Sequence, residues 1–288
     1  MDLAIIFQIL ISGLLIGFVF SLVAVGLTLI WGVMDIINFA HGDFMMIAMF
    51  SSLLIFTNLG IDPLFSLPVS LLLLFLIGLI TYRLLIRPLI GHSGLAALLA
   101  TFGLSIFLRN VMLLIFGPDF RVIQNSILAG KRLEIMGINL SLSQVVASIG
   151  CVLITYLVYL FISRSKMGRA IRATALDRDT ALLMGINTNR VFALTFAIGS
   201  ACVGVAGALL VNFYYVFPDV GFSFVILAFV IVALGGFGNI GGAFLAGILV
   251  GLVENAGGFL VAPDFKYTLV FVLYLIVIFI RPRGLFGW

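Results

Sequence analysis

The stretch Trp31-Gly-Val-Met-Asp-Ile-Ile-Asn-Phe-Ala-His-Gly-Asp43 separates two apolar runs, residues 4–31 and 44–59. Non-helical backbone at membrane depth persists only inside protein or beside water. We therefore predict a broken membrane helix on a transport pathway, with Asp43 capping the helix that begins at Phe44. An ordinary turn between two helices is the alternative, although the stretch is more polar than a turn needs. Its polar side chains are those of Asp35, Asn38, His41 and Asp43.

The composition of the whole chain requires a membrane. Of its 288 residues, 64% are hydrophobic and 9% are charged, whereas a soluble domain carries about 25% charged residues. A soluble fold of this length exposes too much surface to hide that apolar content. The first apolar run starts with an acidic residue and is too long for a cleavable signal, so it is predicted to be the first span. The net charge of +4 gives no indication of nucleic-acid binding.

The apolar runs predict a single all-α domain over residues 1–288, a polytopic transmembrane bundle with eight or nine spans. Basic residues orient it, because cytoplasmic loops carry an excess of Lys and Arg. Ten basic residues lie on the side of the 163–190 loop and the C-terminus, against four on the other side. We therefore expect the C-terminus in the cytoplasm and the 117–143 loop outside. An odd span count places the N-terminus outside, and an even count inside. The runs lie near 4–31, 44–59, 66–86, 95–116, 144–162, 191–213, 222–235, 241–260 and 267–280.

A second interruption is predicted at Leu234-Gly-Gly-Phe-Gly-Asn-Ile-Gly-Gly242. Glycine-interrupted segments in corresponding positions of two halves indicate a transport pathway. Gly235, Gly236 and Asn239 therefore join the predicted pathway. A plain cytoplasmic turn accounts for the segment equally well, because five glycines also permit a sharp reversal of the chain.

Two charged residues fall inside apolar runs, where a charge costs about 2.5–3.5 kcal/mol at the bilayer centre. Arg109 lies seven residues before Phe116, about 10 Å from the end of its helix, so its long side chain is expected to reach outward to the membrane surface. Glu254 is shorter and is expected to face protein, a cavity or the outer surface, with a pathway or gate role as a hypothesis. No metal site is predicted, because His41 with scattered carboxylates makes no recognisable ligand set.

The 163–190 loop combines six basic residues with a short amphipathic segment. A helix is predicted from about Arg169 to Met184, and Gly185 stands where a helix C-cap belongs. A surface helix with a small apolar face suits a groove on a partner protein. A solvated loop whose arginines only set the topology is the alternative. The residues predicted to dock are Arg169, Arg172, Ala173, Leu176, Leu183, Met184 and Gly185.

Several of these stretches together resemble the LivH-type permeases, the membrane subunits of branched-chain amino acid ABC importers. The resemblance is colinear from about Ile9 to Gly287, and the Asn-Phe-Ala-His-Gly element at 38–42 is its most specific part. The matching stretches are Gly26-Leu-Thr-Leu-Ile-Trp-Gly-Val-Met34, Ile37-Asn-Phe-Ala-His-Gly-Asp-Phe44, Leu183-Met-Gly-Ile-Asn187, the glycine segment 234–242 and the ending Arg281-Pro-Arg-Gly-Leu-Phe-Gly287.

This resemblance implies an ABC importer permease fold with broken half-helices, similar to that of ribose-type permeases, in the inner cell membrane. It implies a related second permease subunit, two cytoplasmic ATP-binding subunits, an external solute-binding protein and membrane lipid as partners, with no cofactor and no nucleic acid. The 163–190 loop would hold the coupling helix. Related permeases carry urea or short amides, so those substrates stay open beside branched-chain amino acids. Arg109 departs from the neutral polar residue expected at its position.

Two other classes of protein are alternatives to this one. A secondary transporter driven by an ion gradient would need buried carboxylates at the breaks, for which Asp35 and Asp43 are candidates. The basic, partly apolar loop favours the importer. An enzyme is not expected, because His41 and His92 are the only histidines and lie on different segments. The sequence also contains no Gly-x-x-x-x-Gly-Lys-[Ser/Thr] phosphate loop, so an ATPase would have to be a separate chain.

Overall fold

The computed structural model describes residues 3–92, 94–135 and 138–286. In that part of the chain, eight helices are long and apolar enough to cross a membrane, and one further apolar helix is shorter. The predicted all-α polytopic bundle is confirmed, and each predicted span coincides with one of these helices. The helices are α1 (Leu3–Met34), α2 (His41–Leu59), α3 (Pro63–Thr81), α4 (Gly94–Phe116), α5 (Leu142–Arg164), α6 (Lys166–Leu176), α7 (Arg178–Leu183), α8 (Thr188–Leu210), α9 (Val220–Gly235), α10 (Ile240–Leu260) and α11 (Lys266–Ile280).

The two ends of the bundle carry different structures. An antiparallel hairpin of β1 (Arg132–Ile135) and β2 (Ile138–Ser141), which the sequence did not predict, lies at the end where α1 begins. There the Gln8 side chain donates a hydrogen bond to the carbonyl of Asn139. We call this the hairpin end and the opposite one, which carries α6 and α7, the loop end. The first described helix therefore begins at the end opposite to the last described residues, as an odd number of spans predicts.

The loop end is held together by apolar packing and by the C-terminal segment. Ile171 of α6 packs in one cluster with Leu29 near the end of α1 and Val191 near the start of α8. The backbone N–H of Leu285 donates to the carbonyl of Leu234 at the end of α9. These contacts place α6 and the described end of the chain on the same side of the bundle.

Helices α1 and α8 form the centre of the bundle. Helix α1 packs along α10 and α8, and α8 packs along α3. Gly26 of α1 and Gly199 of α8 allow the backbones of these two helices to approach each other, because a Cβ on either glycine would overlap the carbonyl of the other. Helices α4 and α11 instead bury few residues and expose Leu, Ile and Phe side chains. That distribution suits a lipid-facing surface.

The first interruption is where the sequence predicted it. Helix α1 ends at Met34, and Asp35, with φ of 53°, turns the chain back into the bundle. Helix α2 then begins at His41, whose Nε2 donates a 3.0 Å hydrogen bond to the carbonyl of Val23. Val23 lies eleven residues before Met34, which is about 16 Å along α1. Helix α2 therefore begins inside the bundle and runs to the hairpin end.

One detail of that prediction is wrong. The helix starts at His41 rather than Phe44, and its N-cap residue, Ala40, has no side-chain cap. Asp43 is therefore already inside the first turn of α2. Its carboxylate does not cap the helix, because it is paired with Arg109 from α4.

The second interruption is residues 211–219, not the glycine segment that the sequence singled out. Val216 in this stretch exchanges two backbone hydrogen bonds with Arg121. Helix α9 then begins at Val220, and a Cβ on Gly221 would overlap the backbone of Gly42. Two helices, α2 and α9, therefore start beside each other inside the bundle and run toward opposite ends.

The glycine segment forms a tight turn between α9 and α10 at the loop end. Gly236 and Gly238 have φ of 92° and 77°, conformations that glycine adopts without strain. Asn239 caps α10, because its Oδ1 accepts from the backbone N–H of Gly242 at 2.9 Å. This geometry matches the turn alternative for the segment.

Candidate functional site

Arg109 of α4 lies where α2 and α9, the helices that follow the two interruptions, begin. Its Nε donates to Asp43 Oδ1 at 3.1 Å, and its Nη2 donates to Ser105 Oγ at 2.7 Å. Its Nη1 lies 3.8 Å from an oxygen of Asp219, the N-cap residue of α9. The guanidinium also covers the ring of Phe222, 4.9 Å from the centroid. One arginine thus connects α4 to the starts of both α2 and α9.

The expectation that Arg109 reaches outward to the membrane surface is wrong. The Asp43 side chain is 1% exposed and the Arg109 side chain 19% exposed. A buried carboxylate requires a partner, since an unpaired buried charge is strongly unfavourable. Arg109 supplies that partner, so it turns into the bundle.

Asp219 is the residue of this site that the sequence reasoning missed. It follows Pro218 in the gap between the predicted spans 191–213 and 222–235. A proline–aspartate pair between two apolar runs is a signal of interrupted backbone, and it could have directed attention here instead of to the glycine segment.

Helix α4 also satisfies the backbone of the first interruption. Thr101 Oγ1 donates to the carbonyl of Ile37 at 3.0 Å and accepts from the N–H of Phe39 at 3.3 Å. Asn38 Oδ1 accepts from the N–H of Ala40 at 3.2 Å. The extended segment is thus stabilised inside protein, as backbone at this depth requires.

Three buried polar atoms beside this segment have no hydrogen-bond partner among the described residues. They are Asn38 Nδ2, His41 Nδ1 and Asp43 Oδ2. A buried polar group without a partner costs about 1–3 kcal/mol. Such groups rarely remain unpaired in a core that only has to fold, so this cluster is the strongest candidate for a site that meets water or solute.

The predicted pathway residues fall in separate places. Asn38, His41 and Asp43 are buried together at the start of α2. Asp35 is exposed at the loop end. Gly235 and Gly236 lie at the far end of α9, at least fourteen residues from Gly221, or about 21 Å along the helix. Asn239 lies in the turn beyond them, and Glu254 pairs with Lys266 at 3.3 Å toward the hairpin end. A pathway role for these five positions stays a prediction. Within the described ranges, no group of three His, Cys, Asp or Glu could hold a metal ion.

The comparison with protein families agrees with this architecture. Residues 9–280 match the family described as branched-chain amino acid transport system, permease component. The chain belongs to this permease family. The resemblance drawn from the sequence is confirmed.

Related permeases are similar over nearly their whole length. The high-affinity branched-chain amino acid transport system permease protein BraD of Pseudomonas aeruginosa is 36% identical, over 97% of this chain and 95% of its own. The LivH protein of Escherichia coli K12 is 35% identical, over 96% and 94%. A probable LivH protein of Methanocaldococcus jannaschii is 28% identical, over 92% and 88%. No solved structure matches the chain.

In the 163–190 loop of this permease, two short helices replace the single helix predicted for Arg169–Met184. Asp177 divides it into α6 and α7, because its Oδ1 accepts from the N–H groups of Asp179 and Thr180 and starts a new helix. Hydrogen bonds from Thr180 also hold the pKa of the Asp177 carboxyl below its usual value. The predicted cap at Gly185 is confirmed. Its φ is 80°, and Ile186 donates back to the carbonyl of Ala181.

The residues predicted to dock on a partner differ in how far their side chains are exposed. Leu176, Leu183 and Met184 are 88%, 87% and 78% exposed at the loop end. Arg169 and Arg172 are exposed, and Ala173 is half-buried. The opposite face of α6, with Gly168, Ile171 and Thr174, packs on the bundle. The break at Asp177 separates Leu176, at the end of α6, from Leu183 and Met184, at and just after the end of α7. The three large apolar side chains therefore do not share one helix face.

Proposed function

We propose that this permease is the membrane-spanning subunit of an ABC importer that moves branched-chain amino acids into the cell. One observation carries the proposal: two helices begin inside the bundle and meet at Asp43, Arg109 and Asp219. Interrupted helices that meet near the middle of a membrane domain are typical of solute pathways. The path would run past the start of α2.

The substrate class is proposed from the names of the relatives and from the chemistry of the site. A branched-chain amino acid is a zwitterion with an apolar side chain. Helix N-termini hold carboxylates well, and α2 and α9 both present theirs at the centre. A path of this kind needs few fixed charges, in keeping with a chain that is 9% charged.

The energy source is proposed to be two separate ATP-binding subunits docked on α6 and α7. Large apolar side chains are unfavourable in water, and Leu176, Leu183 and Met184 are each more than three-quarters exposed. Three such side chains within nine residues favour a contact with another protein. The chain itself has no phosphate-binding loop.

The loop end is proposed to lie in the cytoplasm and the hairpin end outside. Ten basic residues belong to the loop end against four at the hairpin end, and the excess faces the cytoplasm. An external solute-binding protein would then meet the hairpin end. A related second permease would complete the path across the inner membrane.

One observation supports a carrier driven by an ion gradient as the second candidate. Asp43 and Asp219 place two carboxylates at the interruptions, where such carriers bind their coupling ion. This carrier would transport its solute without an ATP-binding partner. The experiment described next separates the carrier from the ABC importer.

The test is purification of the tagged permease from its own membranes, followed by identification of the co-purified chains and by uptake of L-leucine into proteoliposomes. A second permease and an ATP-binding subunit should co-purify, and uptake should require ATP and the binding protein. Leu183→Glu should remove the ATP-binding subunit. The matched control is Leu133→Glu, at a half-exposed leucine of the hairpin end, which should retain it. Uptake by the permease alone under an ion gradient would favour the carrier.

A further inference from the structure

A small pocket lies beside Arg109, between α4 and the second interruption. It has a volume of about 120 Å³ and is lined by Ile106, Arg109, Asn110, Leu113, Pro218 and Asp219. It therefore joins charged, amide and apolar side chains at the place where α4 meets the second interruption.

This part of the surface does not suit contact with lipid. The Asp219 side chain is 73% exposed, and Asn110 of α4 is exposed beside it. Asp219 lies next to the start of α9, which contacts the start of α2 inside the bundle. A carboxylate facing lipid at that depth would be strongly unfavourable. The pocket must therefore face water or another protein.

The Arg109 guanidinium has hydrogen-bond donors that can bind a ligand. Nε and Nη2 are each held by a hydrogen bond, to Asp43 and Ser105 respectively. Nη1 makes no hydrogen bond within the described part of the chain, and its contact with Asp219 is a loose 3.8 Å. The guanidinium is thus fixed at two nitrogens, with donors left over at the third. A prearranged guanidinium is a good receptor for a carboxylate.

We propose that this pocket binds an amino acid zwitterion during transport. The α-carboxylate accepts hydrogen bonds from Arg109 Nη1, the ammonium pairs with Asp219, and the aliphatic side chain lies against Ile106 and Leu113. The two ligand charges match the two charges of the loose ion pair, so binding replaces a weak contact with two strong ones. This assignment rests on the proposed function, because it names where the proposed substrate binds.

Protection of a thiol placed in the pocket tests the assignment directly. Asn110→Cys puts a thiol on the pocket wall, while the native Cys151 and Cys202 are buried. In purified complex in nanodiscs without ATP, alkylation of residue 110 by a charged thiol reagent is followed by mass spectrometry of its peptide. L-Leucine should slow the reaction at least threefold. Leucinamide, without the carboxylate, and 4-methylpentanoate, without the ammonium, should not.

Two variants complete the design. Adding Asp219→Asn should abolish protection by leucine, whereas Asp264→Asn, at an exposed aspartate elsewhere, should leave it intact. Thr57→Cys, exposed on α2, should react equally with and without leucine. Equal reaction of residue 110 with and without leucine, protection that survives Asp219→Asn, or a thiol that no reagent reaches would each overturn the site. ATP-dependent uptake by the unaltered complex is measured separately, so a failure of the site is distinguished from a failure of the importer proposal.

Discussion

The Asp43 carboxylate depends on Arg109 because it is the more deeply buried member of the ion pair. Asp43 is 1% exposed, with an arginine on one carboxylate oxygen and no hydrogen-bond partner for the other in the part of the chain that the structure describes. Removing one member of a buried ion pair typically costs about 3–5 kcal/mol, because the remaining charge is left without compensation. When Arg109 is removed, the stability is lost because the Asp43 carboxylate stays buried without a partner. Neutralising Asp43 as well should therefore recover most of that stability.

Arg109→Met should therefore lower the thermal unfolding midpoint of the purified permease strongly, and Arg109→Met with Asp43→Asn should restore most of the loss. The measurement is the fraction that remains monodisperse by size-exclusion chromatography after heating. Leucine uptake by the double variant should stay low, since the pocket has lost its guanidinium. Arg83→Met, at an exposed arginine of the loop end, is the control. Additive losses in the double variant would show that the two side chains act independently.

At this scale the sequence predicted the polar cluster but not its partners. Asn38, His41 and Asp43 stand out because they interrupt an apolar run within a few residues. The arginine that pairs with Asp43 is 66 residues away along the chain. Local pattern carries no information about a contact of that separation, so for Arg109 the sequence offers only its distance from the end of a helix.

Helix α9 shows why one of two similar interruptions was misplaced. A glycine-rich stretch between two apolar runs has the same appearance whether it is a tight turn at a membrane surface or a break inside the bundle. The turn at Gly236 and Gly238 uses glycine for its positive φ. The real interruption at 211–219 has polar residues and Pro218 instead. Apolar periodicity locates helices well, but it does not give the depth at which they start.

Asn239 distinguishes a capping role from a pathway role. Its Oδ1 accepts from Gly242 N–H and its Nδ2 donates to the carbonyl of Phe286. Asn239→Ala should destabilise the permease by about 1 kcal/mol, the usual contribution of an N-cap, and Asn239→Ser should recover part of this. Chemical unfolding midpoints check the stability, and the KM for leucine uptake should be unchanged. A raised KM at normal stability would instead place Asn239 on the path.

The whole molecule combines an asymmetric charge distribution with ends that differ in shape. The loop end has most of the basic residues and the exposed apolar side chains of Leu176, Leu183 and Met184. The hairpin end has the short β-hairpin and the start of α1. Nine apolar helices among the described residues carry the chain back and forth between the two ends, and two of them, α2 and α9, begin inside the bundle. Fold class was accessible from sequence because composition acts over the whole chain, whereas the orientation stays a prediction from the basic residues.

The orientation makes a prediction that single thiols can test in intact spheroplasts. Thr57→Cys lies toward the hairpin end and Arg283→Cys at the loop end, and both positions are exposed, while Cys151 and Cys202 are buried and should stay silent. A membrane-impermeant maleimide should label residue 57 from outside and residue 283 only after the membrane is opened, because the basic excess holds the loop end in the cytoplasm. Labelling of both thiols from outside would require an even number of crossings between them. The reverse pattern would invert the permease, placing α6 and α7 where no ATP-binding subunit could reach them.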